Sequence, residues 1–297
     1  MQSQNLQSAY QFCLDLARQH YENFPTASIF LGREQRKATA AIYAFARTAD
    51  DIADEGSLDI VTRLKYLDDY QQKLDAVYQN HPSDDPVFIA LTDTIKRFEL
   101  PKHVLADLLT AFRMDVEKKR YSDAADLIRY CQYSANPIGE LVLRLHGVYT
   151  RQNKQLSDLI CTALQLINFI QDIDEDYQQR NRIYVPIDEM HKFSVTEDMI
   201  ANRNDAAELA ALVKYQQDRA HAMLLDGIEL IDHLHGNLRL VIALTISSGL
   251  RIIDKLQSRQ NCFTRPTLRK WDWVIIGLNA LYFRTIRTRA KIRPSSQ

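Results

Sequence analysis

Two stretches of this sequence space their acidic residues in a way that can do chemistry. In AAIYAFARTADDIADEG, Tyr43, Arg47, Asp50 and Asp54 follow at intervals of four, three and four, so they share one helix face. In LICTALQLINFIQDIDEDYQQRNRIYVP, Gln165, Asn168, Asp172 and Asp176 do the same at three, four and four. The intervening positions are mostly Ala, Ile, Leu and Phe, which marks each helix as largely buried with a polar stripe facing something other than bulk water. Acids four apart on a helix repel by about 0.2–0.5 kcal/mol, and burying them unpaired costs far more, so each stripe calls for a cation. Carboxylates without neighbouring His or Cys suit a hard ion such as Mg2+ rather than zinc. Mg2+ keeps waters and binds through a few carboxylates plus phosphate oxygens, so two facing DxxxD helices describe a site that holds a diphosphate through bridging ions. One DxxxD alone reads as a solvated face, but two, each with amide or guanidinium neighbours, weigh against that. Asp51, Glu55, Asp174 and Glu175 fall mostly off the stripes and read as solvated or supporting residues.

The elements that must position these residues are helical. Eight Gly and eight Pro are about 5% of the chain against roughly 12% in average usage, which leaves few tight turns. Apolar residues recur with helical spacing near 3–20, 33–55, 58–80, 86–99, 102–119, 123–147, 155–179, 205–235, 237–258 and 267–290. Asp85-Pro86 reads as an N-cap and first helical residue, and Leu100-Pro101 separates two amphipathic runs. The polar segment from Asn181 to Asn204 reads as the longest non-helical stretch. No linker, composition break or repeat divides the chain, so one all-α domain over residues 1–297 is expected, with a basic C-terminal segment from about residue 265.

Lys plus Arg at 37 against Asp plus Glu at 38 removes the global basic footprint of a nucleic-acid binder. Cys13, Cys131, Cys161 and Cys262 form no CxxC pair, which points to a reducing compartment rather than a zinc ribbon or disulfide framework. The N-terminus lacks the pattern of a secretory signal, and the apolar stretch Trp273–Phe283, broken by Asn279, falls short of the ~20 residues that span a bilayer. A cytoplasmic protein is expected, with room for contact at the inner face of the cytoplasmic membrane. Arg265, Arg269, Lys270, Arg284, Arg287, Arg289, Lys291 and Arg293 surround that apolar stretch, which reads either as a membrane-surface element or as a terminal helix packed on the body.

The segments YAFARTADDIAD and NFIQDIDEDYQQRNRIYVP resemble the two aspartate-rich signatures of the squalene/phytoene synthase family. FRMDVEKKRY and YCQYSANPIGELVLRLHG, between them, resemble its central helices, so four motifs fall in order over about 170 residues. HYENFPTAS stands where the family usually has a His-Ser-Lys-Ser-Phe type loop, and SANPIG replaces an Ala-Gly-x-Val-Gly turn. Both variants are similar to the bacterial hydroxysqualene synthase branch of the hopanoid pathway. The resemblance implies an isoprenoid synthase-type helical bundle around a central apolar cavity. The activity it implies is conversion of presqualene diphosphate and water to hydroxysqualene and diphosphate. Two alternatives stay open: head-to-head condensation of two farnesyl diphosphates to presqualene diphosphate, squalene or dehydrosqualene, and a non-catalytic helical assembly factor, against which the intact aspartates count.

The resemblance also implies roles. Asp50, Asp54, Asp172 and Asp176 would hold Mg2+ ions bridging to the diphosphate, as ligands and not as nucleophiles. Arg47 and Arg182, with Tyr184 nearby, would contact the diphosphate, and Asn23 would hydrogen-bond phosphate. Gln165 and Asn168 would flank the metal-bound headgroup, and Tyr43 and Tyr130 would line the reacting end. Asp115, Arg120 and Tyr121 match another recurrent cluster of the family. Plainer readings stand beside these: Arg47 paired with Asp50 or Asp51, Arg182 as a loop residue, Tyr43 and Tyr130 as core aromatics, Arg120 in a solvated charge run with Lys118 and Lys119. Ionising a cyclopropylcarbinyl diphosphate leaves a carbocation, which an apolar pocket with aromatic faces stabilises by ~0.5–2 kcal/mol each. The helices near 123–147 and 237–258 would supply its walls. The sequence has no GxGxxG fingerprint, so quenching by water is expected and NADPH is not. So apolar a substrate suits peripheral membrane contact and handover from a presqualene diphosphate synthase.

Overall fold

The computed structural model describes the backbone of residues 2–19 and 32–292, and side chains from 4–19 and 32–283; Asn23 lies outside the described residues. Among the described residues there are fifteen helices and no sheet. Arg120 and Ile183 form an isolated parallel bridge. The chain divides into two compact units, one built from residues within 1–118 and 132–149, the other from residues within 119–131 and 150–297.

The first unit holds α1 (Gln2–Gln19), α2 (Arg33–Asp54), α3 (Ile60–Tyr78), α4 (Pro86–Phe98) and α5 (Lys102–Glu117). After α6 (Ala124–Ser134), of which residues 124–131 belong to the second unit, α7 (Asn136–Leu145) returns to the first. Helix α2 is the hub, in contact with α1, α3, α4, α5 and α7. Its composition explains this: Ala38, Ala40, Ala41, Ala44, Ala49 and Ala53 are buried, and small side chains let several neighbours approach one helix. Phe45 of α2 stacks on Tyr70 at 5.2 Å and meets Phe88 edge-on at 6.0 Å, and the Tyr70 hydroxyl donates to the Phe45 carbonyl at 3.2 Å. Asp85 caps α4 by accepting from Val87 N, and Glu99 in the left-handed region ends it before Pro101, so both punctuation signals act as expected.

The second unit continues with α8 (Arg151–Gln171), α9 (Ile173–Arg180), α10 (Ile187–Lys192), α11 (Glu197–Ala201), α12 (Ala207–Gly227), α13 (Leu230–His233), α14 (Gly236–Gln257) and α15 (Asp272–Ile292). Thr150 starts α8 by accepting from Asn153 N. Helix α8 packs along α12 and also meets α14. A Cβ on Gly227 would lie 2.5 Å from Ile160 Cγ1, so that glycine sets how closely α12 approaches α8. By length and composition α14 is apolar enough to cross a membrane, a feature missed by taking Trp273–Phe283 as the longest apolar stretch. Here it packs on α8, α12 and α15, burying Val241, Ile246, Ile253 and Leu256.

Several expected helices are divided. The 123–147 run breaks at Ala135, ahead of Pro137, whose missing N–H cannot continue the ladder. The 155–179 run breaks at Asp172, and 205–235 breaks after Gly227. The stretch Asn181–Asn204, expected to be non-helical, holds α10 and α11. Buried Glu189 of α10 accepts from Gln216 and Arg219 of α12, a tertiary anchor that local spacing does not reveal.

Candidate active site

In the first unit, Tyr43, Arg47, Asp50 and Asp54 all lie on α2, Asp54 as its last residue. The Arg47 guanidinium is held by three carboxylates: Asp50 at 3.2 Å, Asp51 at 2.6 Å and Glu55 at 2.5 Å. Asp51 and Glu55, expected to be solvated or supporting, keep Arg47 on the aspartate face. Burial pushes the Tyr43 phenol up, with Arg47 pulling the other way. The end of α2 is tied down from α3. Arg63 donates from Nη1 to the Ile52 carbonyl at 2.9 Å, from Nη2 to Gly56 at 2.8 Å and from Nε to Leu58 at 3.1 Å. These bonds satisfy carbonyls at and beyond the helix terminus that carries Asp54.

In the second unit, Asp172 closes α8 and opens α9 (φ −105°, ψ 15°). The break is slight, because Asp172 N still donates to Asn168 O at 2.9 Å and Asp176 N to Asp172 O at 2.8 Å. Both carboxyls remain close enough to repel. Burial first, then the Asp172 charge, pushes Asp176 up to about 7, with Arg180 and Arg182 pulling it down. Burial also raises Asp172, against the pull of Arg265, whose Nε lies 2.5 Å from Asp172 Oδ1. Arg182 is buried, at 5% exposure, in the non-helical segment between α9 and α10. Gln165 is partly buried on α8 and Asn168 is exposed.

The segment after α9 is held against residues 119–122. Ile183 N donates to Lys119 O at 3.0 Å and Ile187 N to Tyr121 O at 2.9 Å. Arg120 secures this pairing, donating to the Asn181 side chain at 2.9 Å and through two nitrogens to Glu197 at 2.8 Å each. It is therefore not part of a solvated run. Tyr184 stacks on Phe169 at 3.8 Å and on Tyr121 at 5.5 Å, and Tyr130 lies 5.7 Å from Tyr184. Four buried rings thus form one aromatic cluster behind the Asp172–Asp176 helix. Asp115 is buried in the first unit.

Arg63, Phe169 and Arg265 were missed as site residues from the sequence. Phe169 read as a core position, and Arg63 and Arg265 act through contacts that carry no periodic signal.

Among the described residues no cluster of three or more His, Cys, Asp or Glu side chains is placed to hold a metal by itself. Mg2+ does not require one, since one or two carboxylates serve when waters and phosphate oxygens complete the shell. Asp172 and Asp176 fit that chemistry: two carboxyls pushed up by burial, Asp176 also by the Asp172 charge, whose anionic forms a dication would favour together.

The profile of the family described as Squalene/phytoene synthase matches residues 17–272, which takes in both aspartate segments. The chain belongs to this family. A hydroxysqualene synthase of Rhodopseudomonas palustris is 35% identical over 267 residues, 90% of either chain. A phytoene synthase of Mycobacterium tuberculosis is 34% identical over 232 residues, 77% of this chain and 75% of that one. Squalene synthase HpnC from Alicyclobacillus acidocaldarius shares the fold at a TM-score of 0.80 and 35% identity, over 85% of this chain and 94% of that one. As a squalene/phytoene synthase family member with these relatives, the protein is an all-α isoprenoid-synthase enzyme.

Proposed function

We propose that this enzyme converts presqualene diphosphate and water to hydroxysqualene and diphosphate in an Mg2+-dependent reaction. The observation that carries the reading is the Asp172–Asp176 pair, two partly buried carboxyls one helical turn apart, each pushed up by burial and Asp176 further by the Asp172 charge. The similarity to hydroxysqualene synthase over 90% of the chain supports the choice of substrate.

In the first unit Asp50 and Asp54 on α2 would hold Mg2+, and in the second Asp172 and Asp176 at the α8–α9 break would do so. The chemistry Mg2+ would supply there is neutralisation of charge on the departing diphosphate. Arg47 would exchange carboxylate contacts for phosphate oxygens, and Arg182, beside Asp176, would offer its guanidinium to phosphate. Gln165 and Asn168 flank the headgroup, and Asn23 hydrogen-bonds phosphate. The carbon–oxygen bond breaks with its electron pair leaving on diphosphate. Aromatic faces, Tyr43 in the first unit and Tyr130 in the second, would stabilise the resulting carbocation. A water oxygen then bonds to the cation and loses a proton, which yields hydroxysqualene. No hydride donor enters this balance. A presqualene diphosphate synthase supplies the substrate. A reducing cytoplasm suits the four cysteines, none of which is in a disulfide.

One observation favours a second reading. The phytoene synthase relative, at 34% identity, is consistent with head-to-head condensation of two isoprenoid diphosphates. The test is to incubate purified protein and Mg2+ with presqualene diphosphate or farnesyl diphosphate, with and without NADPH, and to identify the lipid by mass spectrometry. Hydroxysqualene from presqualene diphosphate without NADPH is expected. Product from farnesyl diphosphate alone selects the condensing reading, and no turnover of either by folded protein leaves the assembly-factor reading.

A further inference from the structure

Helix α15 has two apolar faces, and only one is used inside the protein. Ile276 and Ala280, a turn apart, are buried, and Asp272 on the same side is held by Arg251 Nε and Lys255 Nζ, each at 2.7 Å. The opposite face is Val274, Ile275, Leu278, Leu281 and Tyr282, spaced as one helical stripe, with Trp271 a turn before it. All six are exposed, Trp271 at 82% and Leu278 at 63%. From Trp271 to Tyr282 the stripe runs about 16 Å at the rise of a helix. A continuous apolar face of this kind marks an interaction surface rather than scattered surface hydrophobics.

Charge decides what covers it. Residues 265–297 contain eight Lys and Arg and one acid, Asp272, a balance of +7. The whole chain is −1, so the remaining residues sum to −8. The one acid of the segment is buried and paired, while Arg269 and Lys270 are exposed immediately before Trp271. A second copy of the chain meeting this face across a two-fold axis would set +7 against +7, which disfavours a dimer. An anionic surface with an apolar interior matches both features. Trp and Tyr at the two ends of the stripe have the amphipathic rings that settle at the headgroup level.

We propose that α15 lies in the plane of an anionic lipid bilayer, with the Leu278 face in the headgroup–acyl boundary and the flanking cations on lipid phosphates. This docking surface does not depend on which reaction the enzyme catalyses.

The full chain is sedimented with vesicles of phosphatidylcholine plus phosphatidylglycerol and, separately, of phosphatidylcholine alone. Binding is expected to the anionic vesicles, weakened by salt. Leu278→Glu is expected to lower it by about tenfold or more, and Arg269→Gln or Lys270→Gln by about fivefold each. Leu278 is exposed, so the variant keeps the fold, which circular dichroism checks. In Trp273→Phe the remaining tryptophan, Trp271, is expected to shift its emission to the blue on anionic vesicles. No preference for anionic vesicles, or unchanged binding by Leu278→Glu, overturns the proposal. So does a wild-type dimer that Leu278→Glu converts to monomer without any vesicle binding.

Discussion

Arg265 and Asp172, ninety-three residues apart in sequence, meet with Nε 2.5 Å from Oδ1 and Nη2 3.4 Å from Oδ2. The arginine side chain is half exposed while Asp172 is largely covered, so a cation from the surface reaches down onto a carboxylate that burial disfavours. On the proposed reading, a dication at Asp172 would take over that task and compete with the guanidinium. Without diphosphate, Arg265→Gln is therefore expected to bind Mg2+ about two- to fivefold more tightly, the worth of a half-exposed ion pair. Isothermal titration of the two proteins checks this, and weaker binding by the variant would contradict it.

Asp176 makes metal-free stability depend on pH. Its carboxyl is raised to about 7 in the folded protein, so the folded state holds a proton that the unfolded chain releases near pH 4. That contribution is fully present below about pH 4 and is lost as pH rises through about 7, at most about 4 kcal/mol. Relative to Asp176→Asn, the wild-type chain is expected to lose stability in urea between pH 4 and 8. Mg2+ is expected to restore it in the wild type alone. Parallel curves for the two proteins would remove the assigned shift.

Arg63 governs the aspartate helix from outside it. Arg63→Ala strips three carbonyls of one donor group and is expected to cost about 1–3 kcal/mol in denaturant unfolding. Arg63→Lys is expected to recover little, because one ammonium cannot spread over three acceptors as a guanidinium does. Full recovery by lysine would show that charge alone matters here.

The thiols offer a probe of packing. Burial pushes Cys13 and Cys131 up to about 12 and Cys262 up to about 11, so little thiolate forms at pH 8. Cys161 is only partly buried. Iodoacetamide at pH 8 is expected to modify Cys161 well before the other three in native protein, and all four alike in urea. Peptide mapping reads the order, and early modification of Cys131 would contradict the packing around α6.

The helices that carry the aspartates were legible because their apolar positions repeat with a helical period, and Asp50, Asp54 and Asp176 fall on helices, with Asp172 at the junction of α8 and α9. The break at Asp172 was not legible, since the local hydrogen bonds continue across it with little change. Nor was the setting of Arg47: its third carboxylate, Glu55, lies beyond the helix end, where a face argument weakens. Arg120 read as one of three adjacent cations, and only Asn181 and Glu197, brought in by tertiary folding, reveal its position. Glu189 and Arg265 were hidden for the same reason. Periodicity reports what a residue shares with its own helix and nothing of a partner dozens of positions away.

The partners of Arg120 lie 61 and 77 residues farther along the chain. Synthesis runs from the N-terminus, so a growing polypeptide presents this arginine long before either partner has left the ribosome. The pairing beside Arg182 and Tyr184 therefore gains its Arg120–Glu197 contact only after residue 197 has emerged, and closing so large a loop costs more entropy than forming the helices on either side. The helices that pack on α2 all end by Leu145, so the neighbours of the first aspartate segment are synthesised before either partner of Arg120.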